Sequence, residues 1–448
     1  MPIAYATVSF WTVQTMNKSV GSTKLVIISA WISRLIAAFS SVFALRVLSQ
    51  SLAAPEYAIF VVVMGLAGWF ALVDLGVGYA AQNAITKCFS RGGDASEEIV
   101  GAYLIVALTT SMVILIVYFF RQTISEALFK KILTGDIQEI SKTFFYSALI
   151  LIVGASLGIS TKVLYGLHRG YIANFIVAIA PFVGLLLLVI GIESAEDKIT
   201  YAIFSLYGPN ALACGALAVH QAYKISRPRP KELKIAILNI VSTAPSFLVF
   251  NILGAAVTQI DYMVLSQKAD AIEIIQYFTM AKIFSFVSFF NQSVLFAAWP
   301  DLTALYSTRN FVAIRLQLKR LVIITSCVTV AATVIVLVTK GYFGALLTPG
   351  KGIDFRYTVI IGFGAVALIR CLTDPFAIFL QSVGQLNPLI IFAGIQASLC
   401  ISMQWIFIDY IGIEGVLLAL LLSFILTTAW ALPLASKKML SGDSLKRS

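Results

Sequence analysis

Histidine is nearly missing from this chain: His168 and His220 are the only two in 448 residues. That leaves no material for a histidine-ligated metal or a histidine-based catalytic relay. The five cysteines, Cys88, Cys214, Cys327, Cys371 and Cys400, show no CxxC spacing, and four of them fall inside apolar runs. They read as small buried hydrophobes, neither metal ligands nor disulfide partners. A phosphate-binding GxxxxGK[ST] loop is absent, and PGKGI at 349–353 fails the pattern, so the chain carries no ATPase of its own. GxSxG, HExxH and clustered carboxylate pairs are missing too. Charge is scarce, at 12% of residues, where soluble domains average about 25%. With connecting loops no longer than roughly twenty residues, no soluble domain is left to house chemistry. These absences point away from catalysis.

What the chain has is apolar length: 59% of its residues are hydrophobic. Stretches of about 20 apolar residues recur, which is the length that crosses a bilayer. Breaks at proline, glycine and charge clusters give twelve spans. The first six are 25–47, 57–80, 99–120, 143–164, 172–192 and 200–222. The second six are 236–264, 274–298, 320–340, 357–383, 388–410 and 413–435. The fold expected is an all-α polytopic membrane protein of about twelve transmembrane helices, split six and six. The basic, proline-rich KISRPRPKELK divides it into an N-terminal bundle (1–223), a cytoplasmic linker (224–235) and a C-terminal bundle with its tail (236–448). The halves are faintly alike: EYAIFVVVMGLAGWFALVDLGVGYA from Glu56 and QYFTMAKIFSFVSFFNQSVLFAAWP from Gln276 each hold one charge, Asp74 and Lys282. Such a parallel repeat fits an axis along the membrane normal.

The net charge of +11 suggests nucleic acid until it is mapped. With a cytoplasmic N-terminus, nineteen Lys and Arg fall on the cytoplasmic side, nine on the other, and four, Arg34, Arg46, Lys282 and Arg370, within spans or at their edges. This bias places both termini in the cytoplasm and needs no nucleic-acid partner. The first fifteen residues, MPIAYATVSFWTVQT, carry no positive charge. Met16 opens MNKSVGSTK as a second candidate start, and the first span reads as an uncleaved anchor.

Charges inside spans are costly and mark candidate sites. Lys282 shares a helical face with Ser285, Phe289, Ser293 and Phe296, with Gln292 at its edge, a polar stripe suited to a water-filled cavity; Asn291 is a further polar group within the span. Its plainer readings are snorkelling or pairing with Asp261. Arg34 sits in the first span beside Ser33, Ser40 and Ser41. Arg370 lies four residues before Asp374, which Pro375 follows. That spacing makes an i,i+4 ion pair with a kink beside it. Asp74 and Asp261 lie nearer span ends, where an interfacial role is the simple alternative.

With these residues in view, the chain resembles the O-antigen-type polysaccharide flippases, in the superfamily that also holds the multidrug and toxic-compound exporters. The resemblance runs from about Lys24 to Lys438 and is carried by Arg34, RVLSQSLAAPEYAIF leading to LVDLGVG, QIDYMVL, IIQYFTMAKIFSFVSFF, WPDLTALY and IDYIGIEGVLLALLLS. The family's usual Arg or Lys after Asp261 is Tyr262 here. The resemblance implies two six-helix bundles around a central cavity, and flipping of a polyprenyl-diphosphate-linked oligosaccharide across a bacterial inner membrane by alternating access. Its substrate-binding residues would be Arg34, Lys282 and Arg370 for the diphosphate, and Ser285, Gln292 and Asn291 for sugars. Asp74, Asp261 and Asp374 are the coupling candidates, with a proton or Na+ as the driving ion and no other cofactor or metal. Lipid-linked oligosaccharide, the bilayer and other polysaccharide-assembly proteins are the implied partners. The alternative within transport is an ion-coupled exporter of drugs or small anions. A cation exporter would need carboxylates at depth, where this chain places cations. A membrane-embedded glycosyl polymerase or acyltransferase would need a long loop with acidic or histidine motifs.

Overall fold

The computed structural model describes residues 36–441 apart from 38, 91–92, 130–136, 168, 226–227, 348–354, 384 and 386. Among the described residues the chain is helical, without strands. In hydrocarbon no water is available to bond an exposed N–H or C=O, so each apolar run closes its own backbone bonds as a helix. Helix α1 occupies 39–51. Then come Ala54–Gly65 (α2), Ala67–Phe70 (α3), a 3-10 turn Ala71–Asp74 and Val77–Ser90 (α4). Ser96–Phe129 (α5), Ile137–Leu157 (α6), Ile159–Gly166 (α7), Gly170–Gly191 (α8) and Lys198–Lys224 (α9) complete the first half. The second half comprises Pro230–Lys268 (α10), Ala271–Ser307 (α11), Phe311–Leu347 (α12), Tyr357–Ser382 (α13), Asn387–Ile411 (α14), Ile413–Leu426 (α15) and Thr428–Leu440 (α16).

Eleven of these helical stretches are long and apolar enough to cross a membrane. They coincide with the second to twelfth spans read from the sequence. The span expected over 25–47 is described only from residue 36, and Arg34 lies outside the described residues.

Among the described residues three spans are interrupted. The second breaks at Leu66 and again at Leu75–Gly76, where both residues take positive φ, 50° and 80°. The fourth breaks at Gly158 and the last at Thr427. At the Leu75–Gly76 break only glycine fits: a Cβ on Gly76 would stand 2.5 Å from the carbonyl oxygen of Ala244. The broken turn therefore rests directly on the α10 backbone, next to Pro245.

The chain divides into two compact units. One holds Met1–Val47, Trp69–Gln122 and Gln138–Val249; the other holds Leu48–Gly68, Thr123–Ile137 and Phe250–Ser448. The first is centred on Val77, Ala81, Ile85, Val163 and Ile240. A buried polar tie crosses it: the Tyr103 hydroxyl donates to Gln221 Oε1 (2.5 Å), and Gln221 Nε2 donates to the Ser160 carbonyl (3.0 Å). The Ser160 carbonyl lies at the start of α7, just past the Gly158 break.

The second unit packs Leu295, Leu302, Ile314, Leu318 and Phe379 from α11, α12 and α13. Within it α2 lies on α11. Gly65 admits the Tyr262 ring, which a Cβ would meet at 2.4 Å. Ionic contacts fix one end of this unit. Arg356, the N-cap of α13, reaches Glu414 (3.3 Å) at the start of α15 and Glu273 (3.7 Å) at the start of α11.

Candidate functional site

Lys282 is eleven residues into α11, about 17 Å along the axis at ~1.5 Å per residue. It is half-buried, and its Nζ lies 5.2 Å from the centre of the Phe278 ring, one turn earlier. Among the described residues no carboxylate pairs with it. Asp261, the partner that sequence spacing offered, is taken by another group. It is buried on α10 and accepts the Tyr277 hydroxyl at 2.5 Å and the Tyr262 N–H at 3.0 Å. The α10–α11 connection explains the pairing. Only two residues separate the helices, so the antiparallel hairpin sets Asp261 level with Tyr277. That signal was available in the sequence and points to Tyr277, which residue-type reasoning passes over.

Ser285 is exposed, and its hydroxyl donates to the Lys282 carbonyl (2.6 Å). Its oxygen lone pairs remain available as acceptors. Gln292 is half-buried. Asn291 faces inward: its Nδ2 donates to Thr329 Oγ1 (2.9 Å) and Cys371 Sγ (3.1 Å), tying α11 to α12 and α13. Its Oδ1 is buried without a partner.

Asn291 lines a small cleft together with the polar residues Ser288, Thr325, Arg370 and Asp374. The i,i+4 ion pair expected on α13 is formed, with Arg370 Nη2 3.4 Å from Asp374 Oδ2. About a third of the Arg370 side chain and a quarter of the Asp374 side chain remain exposed. The helix stays continuous through Pro375. Proline has no N–H, which removes one acceptor bond from the Cys371 carbonyl a turn earlier. So one cleft gathers a guanidinium, a carboxylate, an amide and hydroxyls from three helices.

Asp74 belongs to the other unit and has a different task. Its Oδ1 accepts the Gly76 N–H (2.9 Å) and its Oδ2 the Gly78 N–H (3.1 Å). The carboxylate caps α4 across the break in the second span, satisfying donors that the missing helical turn leaves behind. Lys162 lies nearby, with its Nζ 3.7 Å over the Tyr79 ring.

An all-helical chain with cations set into its spans, one of them facing a polar pocket, has the build of a membrane transporter, and its fold matches known ones. An inward-facing multidrug resistance MATE family transporter of the MOP superfamily superposes with a TM-score of 0.70, covering 92% of this chain and 99% of that one at 13% identity. The lipid II flippase MurJ, in an inward closed conformation, gives a TM-score of 0.67, covering 94% and 90% at 16% identity. No family profile matches the chain. In sequence it is similar to the "Putative O-antigen export protein" of Yersinia pseudotuberculosis, 27% identical over 413 residues, 91% of this chain and 94% of the relative. It is also 28% identical over 417 residues to the "Putative O-antigen transporter" of Salmonella typhi, 90% and 94% of the two lengths.

Proposed function

We propose that this protein flips a polyprenyl-diphosphate-linked oligosaccharide, an O-antigen repeat or a similar unit, across a bacterial inner membrane by alternating access. The observation that carries the reading is Lys282, a cation inside a span without a carboxylate partner among the described residues. A lysine at the centre of a span costs ~2.5–3.5 kcal/mol on insertion scales, and an anionic head group is the cargo that would offset it. The names of the sequence relatives and the flippase among the fold neighbours support the same substrate class.

In this mechanism Arg34, Lys282 and Arg370 attract the diphosphate, while Ser285 and Gln292 accept from sugar hydroxyls. Asn291 acts from the pocket wall through its open Oδ1. The prenyl tail stays in the bilayer. The halves 1–223 and 236–448, joined by 224–235, move about the substrate, and both termini lie in the cytoplasm. Coupling is placed at Asp374. When a phosphate draws Arg370 away, the carboxylate loses its counter-ion and a proton or Na+ replaces it. Asp261, held by Tyr277, is the second coupling candidate, and Asp74 the third. Other polysaccharide-assembly proteins of the membrane are the proposed partners.

Lys282→Ala, at parental abundance in the membrane, is expected to cut surface polysaccharide at least tenfold and to accumulate the lipid-linked precursor; Lys282→Arg should retain most export. Full surface polysaccharide in Lys282→Ala would remove the reading. The alternative, an ion-coupled drug or small-anion exporter, predicts gradient-driven dye efflux from energised vesicles, which a flippase lacks.

A further inference from the structure

The first twenty residues of α10, Pro230 to Val249, present two unlike exposed faces side by side. Ile235, Leu238, Val241 and Val249 are 59%, 57%, 48% and 47% exposed. Asn239, Ser242, Thr243 and Ser246 are exposed as well. At ~100° per residue, Leu238, Val241 and Val249 fall on one stripe and Asn239, Thr243 and Ser246 on another about a third of a turn away, with Ser242 and Ile235 on the seam between them. The Ser242 and Thr243 hydroxyls donate to the Asn239 carbonyl (2.9 and 3.1 Å), which leaves their oxygen lone pairs pointing outward as acceptors.

Depth gives the two faces meaning. The 39-residue helix is about 58 Å long, against a hydrocarbon core of about 30 Å. If it is centred in the bilayer, Asn239 lies near the cytoplasmic boundary and Ser246 about 10 Å inside it. Exposed aliphatic side chains at that level belong against lipid, and exposed amides and hydroxyls belong against water. A helix that shows both along one length marks the border between bilayer and aqueous space. Lys231 and Lys234 are exposed at the cytoplasmic end, above the apolar stripe.

We propose that Pro230–Val249 is a capture site where a polyprenyl-diphosphate-linked sugar first docks from the cytoplasmic leaflet, a step ahead of Lys282. The diphosphate meets Lys231 and Lys234, the prenyl chain lies along Leu238, Val241 and Val249, and the first sugars bond to Asn239, Ser242, Thr243 and Ser246. The surface matches each part of one amphiphile: cations at the interface, then an apolar and a polar track running inward together. This rests on the flippase reading above, and it adds a site that reading does not contain.

The test uses full-length protein in native membrane vesicles, with photo-reactive benzoylphenylalanine placed singly at Val241, Ser242 or Ser285. The probe is a polyprenyl-diphosphate-linked N-acetylhexosamine tritiated in the sugar. Crosslinking is expected at all three positions. Lys231→Ala with Lys234→Ala should lower it at Val241 and Ser242 by about tenfold, while the paired Lys→Arg changes should preserve it, which separates charge from folding. Crosslinking at Ser285 with none at Val241 or Ser242 would overturn the capture site and leave the flippase intact. Equal displacement by phosphatidylglycerol would also overturn it, reducing the lysines to a general lipid anchor. Crosslinking at none of the three would remove both readings.

Discussion

Single atoms decide the most specific features of this protein. Gly76 combines a φ of +80° with an approach that would put a Cβ 2.5 Å from the Ala244 carbonyl. Gly76→Ala is expected to destabilise by roughly 1–3 kcal/mol, seen as a lower thermal midpoint in detergent and lower abundance in membranes. An unchanged midpoint would mean that the α10 backbone gives way. The sequence marks Asp74 as a charge near a span end but not as a cap, because capping depends on the Leu75–Gly76 backbone and not on spacing. Arg370 and Asp374 are the opposite case. Their four-residue separation makes the pair legible in advance, whereas the pocket beside them depends on Asn291 and Thr325 arriving from two other helices.

At the level of elements, helix existence follows from apolar length, and helix breaks do not. The second span reads as one run from 57 to 80, yet Leu66 and Leu75–Gly76 divide it. Both interruptions fall beside glycines, Gly65 and Gly76, and the second also beside the Asp74 carboxylate that accepts its free N–H groups. The α10–α11 hairpin shows how a short connection can be predictive. Tyr277→Phe removes the donor to Asp261 and leaves a buried carboxylate without its side-chain partner. A loss of about 1–3 kcal/mol is expected, read by thermal unfolding in detergent. The Asp261→Asn, Tyr277→Phe double variant should recover part of it, since no charge is left buried. If Tyr277→Phe melts like the parent, the contact is not structural.

For the whole molecule the question is energy. Repeated movement in one direction needs either consumption of product on the far side or an ion gradient. If substrate and ion compete for the Arg370–Asp374 pair, Asp374→Asn should uncouple transport. Export of labelled lipid-linked sugar into inverted vesicles should then be slower and insensitive to collapse of the proton gradient, while the parent slows when the gradient is collapsed. A variant that matches the parent in rate and in gradient dependence would clear Asp374 of the role and leave Asp261 and Asp74 as the candidates.

Lys282 also bears on how the protein is made. Of the eleven apolar spans among the described residues, Ala271–Gln292 has the lowest mean hydropathy, and it carries this one unneutralised charge. Presented alone to the insertion machinery, such a segment partitions poorly, since lysine at mid-span disfavours integration. Its predecessor α10 is strongly apolar and only two residues away, so the two helices would leave the ribosome close together and enter the lipid as a pair. Lys282 is thus expected to make this span depend on α10 for its insertion. A truncation that ends the nascent chain after α11 but deletes α10 would strand that segment outside the bilayer.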